Sequence, residues 1–130
     1  MRKESLATAK KCLIFTDESV SCFHAVKNVE DRLKENGFIR LKENKSWELK
    51  PGKSYYVKRN DSSLIAFRIP KGEIKGFHIA ASHSDSPTFK LKAKSEVNVE
   101  NHYVKLNVEP YGGMIYATWH RCLSVAGRVI

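Results

Sequence analysis

Five histidines, three cysteines and 14 acidic side chains are the groups in this chain best suited to bind a metal, move a proton or attack a carbonyl. Their spacing singles out one pair. His83 and Asp85 stand two apart in His83-Ser84-Asp85-Ser86-Pro87, directly after an apolar run. In extended backbone alternate side chains share a side, so the Asp85 carboxylate can reach the His83 ring. A neutral imidazole is the commonest side-chain ligand of metals. Its second ring nitrogen normally donates to a carboxylate or carbonyl, which fixes the tautomer and raises ligand basicity. The pair therefore has the chemistry of a metal ligand and its orienting partner. Spacing alone favours a surface histidine beside an Asx-turn at Asp85-Ser86-Pro87, because a catalytic zinc site wants about three protein ligands.

The other reactive groups offer less. His24 lies near the start of a helix, His78 sits inside the apolar run and reads as a core residue, and His102 and His120 have no spaced partner. Cys12, Cys22 and Cys122 are far apart with no CxxC pair. That supports neither a disulfide framework nor a cysteine-based zinc site, and it fits a reducing cytoplasm. No HExxH, GxSxG or P-loop occurs, and nothing in the spacing supports a Cys–His nucleophilic pair.

The elements that must position His83 and Asp85 follow from periodicity and turn chemistry. Residues 5–16 carry Leu6, Ala9, Cys12 and Leu13 at helical spacing. A second helix is capped by Ser21, buries Val26, Val29 and Leu33 on one face, and stops at Asn36-Gly37. Residues 38–49 are irregular and lead to the turn Pro51-Gly52. Residues 54–58 and 63–69 read as strands joined by a hairpin turn at Arg59-Asn60-Asp61-Ser62. Residues 77–81 then read as a buried strand, short and flanked by Gly72 and Gly76. In open α/β sheets ligands bind just beyond the carboxyl ends of such strands, which is where His83 and Asp85 fall. Beyond Pro87, Phe89, Leu91 and Ala93 alternate with lysines, and residues 103–109 form a further strand that Pro110 breaks. Residues 114–119 and 123–130 are the last strand-like pieces. The fold class is therefore α/β: two N-terminal helices, then a mixed β-sheet.

At 130 residues the chain is one domain at most, with 42% hydrophobic and 28% charged residues. No apolar run approaches the ~20 residues of a membrane span, and no signal peptide is legible at the N-terminus. The net charge of +9 raises nucleic acid as a partner. The basic residues, however, are spread along the chain and interleaved with acids, and the densest group, Lys90-Leu91-Lys92-Ala93-Lys94, has the alternation of a half-exposed strand. The expectation is no nucleic acid and no membrane. The chain ends inside an apolar run at Arg128-Val129-Ile130, which suggests a truncated domain.

Several ordered segments resemble one family. Ser21-Cys22-Phe23-His24-Ala25-Val26 is similar to a Ser-Pro-Phe-His-Ala-Val opening, with Cys22 in place of Pro. Trp47-Glu48-Leu49-Lys50-Pro51-Gly52-Lys53-Ser54-Tyr55-Tyr56-Val57, Asn60-Asp61-Ser62-Ser63-Leu64-Ile65-Ala66-Phe67, His83-Ser84-Asp85-Ser86-Pro87, Val108-Glu109-Pro110-Tyr111-Gly112-Gly113 and Leu123-Ser124-Val125-Ala126-Gly127-Arg128-Val129 follow in register. Together they resemble the aspartyl aminopeptidase and aminopeptidase I family of zinc metallopeptidases. One departure is Trp119-His120-Arg121-Cys122-Leu123, which is one residue shorter than the family pattern and lacks its Asp.

The resemblance implies that residues 1–130 are the N-terminal portion of the catalytic domain of a two-zinc exopeptidase acting on peptide substrates. It implies His83 as a zinc ligand and Asp85 as the catalytic residue that orients it. The remaining ligands and the general-base Glu of such an enzyme come from later in the family's chain, as does its dimerisation domain. The expected activity is amino-terminal peptide hydrolysis, with this chain inactive alone and a homo-oligomer formed only by a full-length relative. Three alternatives stand beside it: a fragment that docks with a separate second half, a basic nucleic-acid module, and the product of a degraded gene.

Overall fold

Helix α2 (Cys22–Glu35) is the element on which the first part of the chain packs, and its ends are set by local chemistry. The backbone of Ser21 is extended, and its Oγ accepts from the His24 N–H at 3.5 Å while meeting His24 Nδ1 at 2.8 Å. At the other end the Phe38 N–H donates to Leu33 O and the Gly37 N–H to Lys34 O, at 3.0 Å each. These are the two bonds of a Schellman stop, and Gly37 supplies its left-handed residue at φ +74. Val26 and Glu30 are buried on one face, with Val29 and Leu33 half-buried beside them. Helix α1 (Arg2–Glu18) precedes it, longer at both ends than its apolar spacing indicates. It touches α2 where the Arg32 guanidinium lies 4.7 Å from the Phe15 ring centre.

This computed structural model describes residues 2–113 and 119–129. Three strands follow α2: β1 (Ile39–Leu41), β2 (Ser54–Arg59) and β3 (Ser63–Arg68), in the order β1-β2-β3. β1 runs parallel to β2, Ile39 opposite Tyr55, and β3 runs antiparallel, Tyr55 opposite Phe67. The sheet is therefore mixed, as the sequence indicates. Tyr55, Tyr56 and Val57 are all buried. Consecutive strand residues point to opposite faces, so both faces of β2 are covered. Tyr56 reaches α2 and donates to Glu30 Oε1 at 3.1 Å. On the other face the Tyr55 ring lies 5.8 Å from Phe67, and Phe67 lies 6.4 Å from Trp47. The irregular residues 42–50 close over that face. The Trp47 indole donates to Lys42 O, and the Lys50 N–H donates to the Tyr55 hydroxyl, both at 2.8 Å. Between β2 and β3, Asn60 and Asp61 adopt φ of 51 and 56, and the Ser62 N–H donates to Arg59 O at 3.2 Å. Short polar side chains tolerate this left-handed geometry best after glycine.

The chain divides into two compact units, one running to Asp85 and resuming at Ala126, the other Ser86–Val125. The second unit holds β4 (Thr88–Val99) and β5 (Tyr103–Tyr111), an antiparallel pair with a register shift between Leu91 and Glu96. Its turn again uses left-handed residues, Glu100 and Asn101. Pro110 does not end β5. It sits opposite Phe89 and the strand runs on to Tyr111, because a proline is tolerated where its missing donor is not needed by a ladder. Trp119 packs edge-on against Phe89 at 5.4 Å.

Three readings are corrected. Residues 77–81 form no strand: the segment is irregular, with Phe77 83% and Ile79 86% exposed. An apolar run becomes a strand only where neighbouring backbones pair with it, and among the described residues none does. His78, read as a core residue, is consequently exposed. Residues 123–129 likewise form no strand and are exposed. Of the expected strand at 114–119, all but Trp119 lies outside the described residues.

Candidate functional site

His83 and Asp85 do come together. His83 Nδ1 lies 2.8 Å from the Asp85 main-chain oxygen and 3.2 Å from Asp85 Oδ1. A carbonyl oxygen can only accept, so this contact requires the proton on Nδ1. Nε2 then carries the ring's lone pair, which is the form a metal binds. The His83 side chain is 80% exposed and that of Asp85 41%. The ring is therefore mostly exposed, with Nδ1 held against Asp85.

The residue between them faces the other way. The Ser84 hydroxyl donates to Ser62 O at 2.8 Å, on the turn between β2 and β3. That turn is also gripped by Arg128, whose Nη1 donates to Asn60 O at 3.0 Å and pairs with Asp61 Oδ2 at 3.2 Å. The Arg128 guanidinium lies 4.8 Å from the Phe23 ring centre, at the start of α2. Lys58 Nζ pairs with Asp61 Oδ1 at 2.8 Å. The hydrogen bond and charge of Lys58 hold the Asp61 carboxyl below its ordinary value, against the opposing effect of burial. Neither Ser84 nor Arg128 is legible as a site-supporting residue from spacing, because their partners lie 22 and 68 residues away.

A second ionic group belongs to the framework. Glu30 is buried with its carboxylate 2.6 Å from Lys58 Nζ, 3.4 Å from Lys34 Nζ and 3.5 Å from Arg40 Nη1. His24, by contrast, lies in the first turn of α2 against its cap Ser21, and Cys12 and Cys122 are exposed thiols apart from any such cluster.

Whether these residues fit a zinc ion is a matter of donor count. The Nδ1-anchored ring of His83 fits one position of a zinc shell. Among the described residues no three His, Cys, Asp or Glu side chains gather into a set that could hold a metal. The described residues therefore offer one candidate ligand and no closed site.

The two helices followed by a mixed sheet define an α/β fold. The sequence profile of the family described as aminopeptidase I zinc metalloprotease (M18) matches residues 15–130, and the chain belongs to that family. It is similar to a probable M18 family aminopeptidase 2 of Clostridium acetobutylicum, 51% identical over 130 residues that make up 98% of this chain and 30% of that protein. It is 43% identical to an aspartyl aminopeptidase of Dictyostelium discoideum, across 98% of this chain and 27% of that one. Among solved structures, that of the S. cerevisiae mApe1 dodecamer superposes with a TM-score of 0.77 at 29% identity, over 86% of this chain and 27% of the other. The chain thus spans about 30% of the length of the curated relatives it matches. No helix among the described residues is long and apolar enough to cross a membrane.

Proposed function

We propose that residues 1–130 are the N-terminal portion of the catalytic domain of a two-zinc aminopeptidase that removes N-terminal residues from peptides in the cytoplasm, as a homo-oligomer when complete. His83 is its zinc ligand through Nε2, and Asp85 orients the ring. The observation that carries this reading is the 2.8 Å contact from His83 Nδ1 to the Asp85 main-chain oxygen, which leaves Nε2 as the coordinating atom. Membership of a zinc metalloprotease family supports the metal, and the relatives' names support the reaction.

Zinc in such a site supplies Lewis acidity and a water of lowered pKa. What this chain contributes is the ring: its tautomer, its direction and its exposure. Asp85 holds the proton on Nδ1 and keeps it from Nε2. One ligand leaves the rest of a zinc shell to water, so affinity for the isolated chain is weak. A zinc titration followed by NMR tests both parts. The His83 ring signals should shift ahead of those of His24, His78, His102 and His120, only at high zinc concentration, and His83→Ala should remove the effect. No hydrolysis of aminoacyl substrates should accompany it. Zinc shifting the other histidines but not His83 overturns the ligand assignment. Zinc-dependent turnover by the isolated chain overturns the claim that it is inactive alone.

A further inference from the structure

We propose that Ser84 is a positioning residue for His83, and that it acts by tying the His83–Asp85 segment to the turn between β2 and β3. This rests on the reading of His83 as a ligand. The chain bends at Ser84. His83 stands exposed before the bend, and half-buried Ser84 turns back to the body of the unit. Its Oγ donates to Ser62 O at 2.8 Å.

The bond matters because of what lies on either side of it. No strand pairs with residues 73–83 among the described residues, so no ladder of backbone bonds fixes the approach to His83. The turn at its other end is well held. Asn60 and Asp61 are in left-handed geometry, Ser62 N–H closes the turn onto Arg59 O, and Asp61 is paired by both Lys58 and Arg128. Arg128 also fixes the Asn60 carbonyl. Ser84 thus transfers the order of a firmly bound turn to a segment that has little order of its own. The His83–Asp85 contact is local and sets the tautomer, while the Ser84–Ser62 contact is long-range and sets where the ring stands. A hydroxyl is needed at residue 84, and threonine would supply it equally.

The test uses the metal-free 130-residue chain, so its outcome does not depend on zinc. Ring nitrogen shifts of His83 are recorded at a pH where the imidazole is neutral, together with amide hydrogen exchange at Ser84 and Asp85. In the starting chain His83 should hold its proton on Nδ1, against the preference of a free imidazole. Ser84→Ala should move the ring toward the Nε2–H tautomer and speed exchange at the two amides about fivefold, the factor of one ordinary hydrogen bond. The signals of β2 and β3 should stay in place, and Ser84→Thr should match the starting chain. Unchanged His83 shifts and exchange in Ser84→Ala overturn the proposal, as does Ser84→Thr behaving like Ser84→Ala. Loss of the β2 and β3 signals in Ser84→Ala also overturns it, since the hydroxyl would then support the whole unit and not the site. If the zinc assignment to His83 fails in the titration while these shifts appear, the positioning stands and the metal reading alone falls.

Discussion

Glu30 is buried and yet ionised, and its neighbours explain why. Burial pushes its carboxyl up, but the hydrogen bonds of Lys58 and Tyr56 and the charges of Lys58 and Lys34 outweigh that and hold it below its ordinary value. A carboxyl with a lower value in the folded than in the unfolded chain means that the unfolded chain binds more protons on acidification. The stability it contributes is complete above the unfolded value. It is lost as pH falls through the lower, folded value. Glu30→Gln removes the charge and leaves Lys58 with Asp61 as its partner. It should cost about 2 kcal/mol at neutral pH, the worth of a hydrogen bond to a charged group. It should also flatten the dependence of stability on pH below 4.5, the ordinary value of the group. Denaturant midpoints of both chains at pH 7 and through the acid range check this. An equal slope in both chains would show that other carboxylates carry the acid sensitivity. None of this cluster is legible in the sequence, where Glu30 is one acid on a charged helix. Only the fold brings Tyr56, 26 residues on, against it. His83 and Asp85 differ, because residues two apart stay within reach of each other even where the chain bends at Ser84 between them.

At the scale of elements, what is local was legible and what is distant was not. The start of α2 at Ser21, its stop at Asn36-Gly37 and the turn at residues 60–61 all depend on side chains within a few positions. Each is found where its chemistry places it. The three residues of β1 were missed because a short parallel strand has no local signature and exists only through β2. The continuation of β5 through Pro110 depends in the same way on β4. Gly37 puts a number on the local rule. It sits at φ +74, and nothing lies within 4 Å of where a side chain would begin. Space is therefore not the constraint, and conformation is. Gly37→Ala should destabilise the chain by about 1 kcal/mol, the cost of a left-handed residue with a Cβ. Gly37→Asn should recover part of that, because asparagine tolerates this region. Thermal or denaturant unfolding of the two variants separates the readings. If alanine and asparagine cost the same, the Schellman geometry is not what ends the helix.

For the molecule as a whole, the misread segment at residues 77–81 is the most informative. Its apolar residues signal burial. The described residues supply no partner for it, and Phe77 and Ile79 stand almost fully in water. The same holds elsewhere: among the described residues the buried hydrophobic ones are Val26, Tyr55, Tyr56 and Val57, all in the first unit, while Leu13, Ile65, Tyr103 and Val125 are more than half exposed. Periodicity reports which residues avoid water, and it is silent on whether the covering element lies in the same chain. Burying a phenylalanine or isoleucine is worth about 1.5–3 kcal/mol each, so these two side chains carry a substantial drive toward any apolar contact. The isolated chain should therefore bind a hydrophobic dye and associate more as its concentration rises. Substituting Phe77→Lys together with Ile79→Lys should lower both several-fold and leave unfolding of the first unit unchanged, because neither side chain is in its core. Sedimentation and dye fluorescence on the two chains decide the matter. If association persists undiminished in the double variant, the adhesive surface lies elsewhere, with exposed Val104 and Leu106 on one face of β5 as the next to be charged.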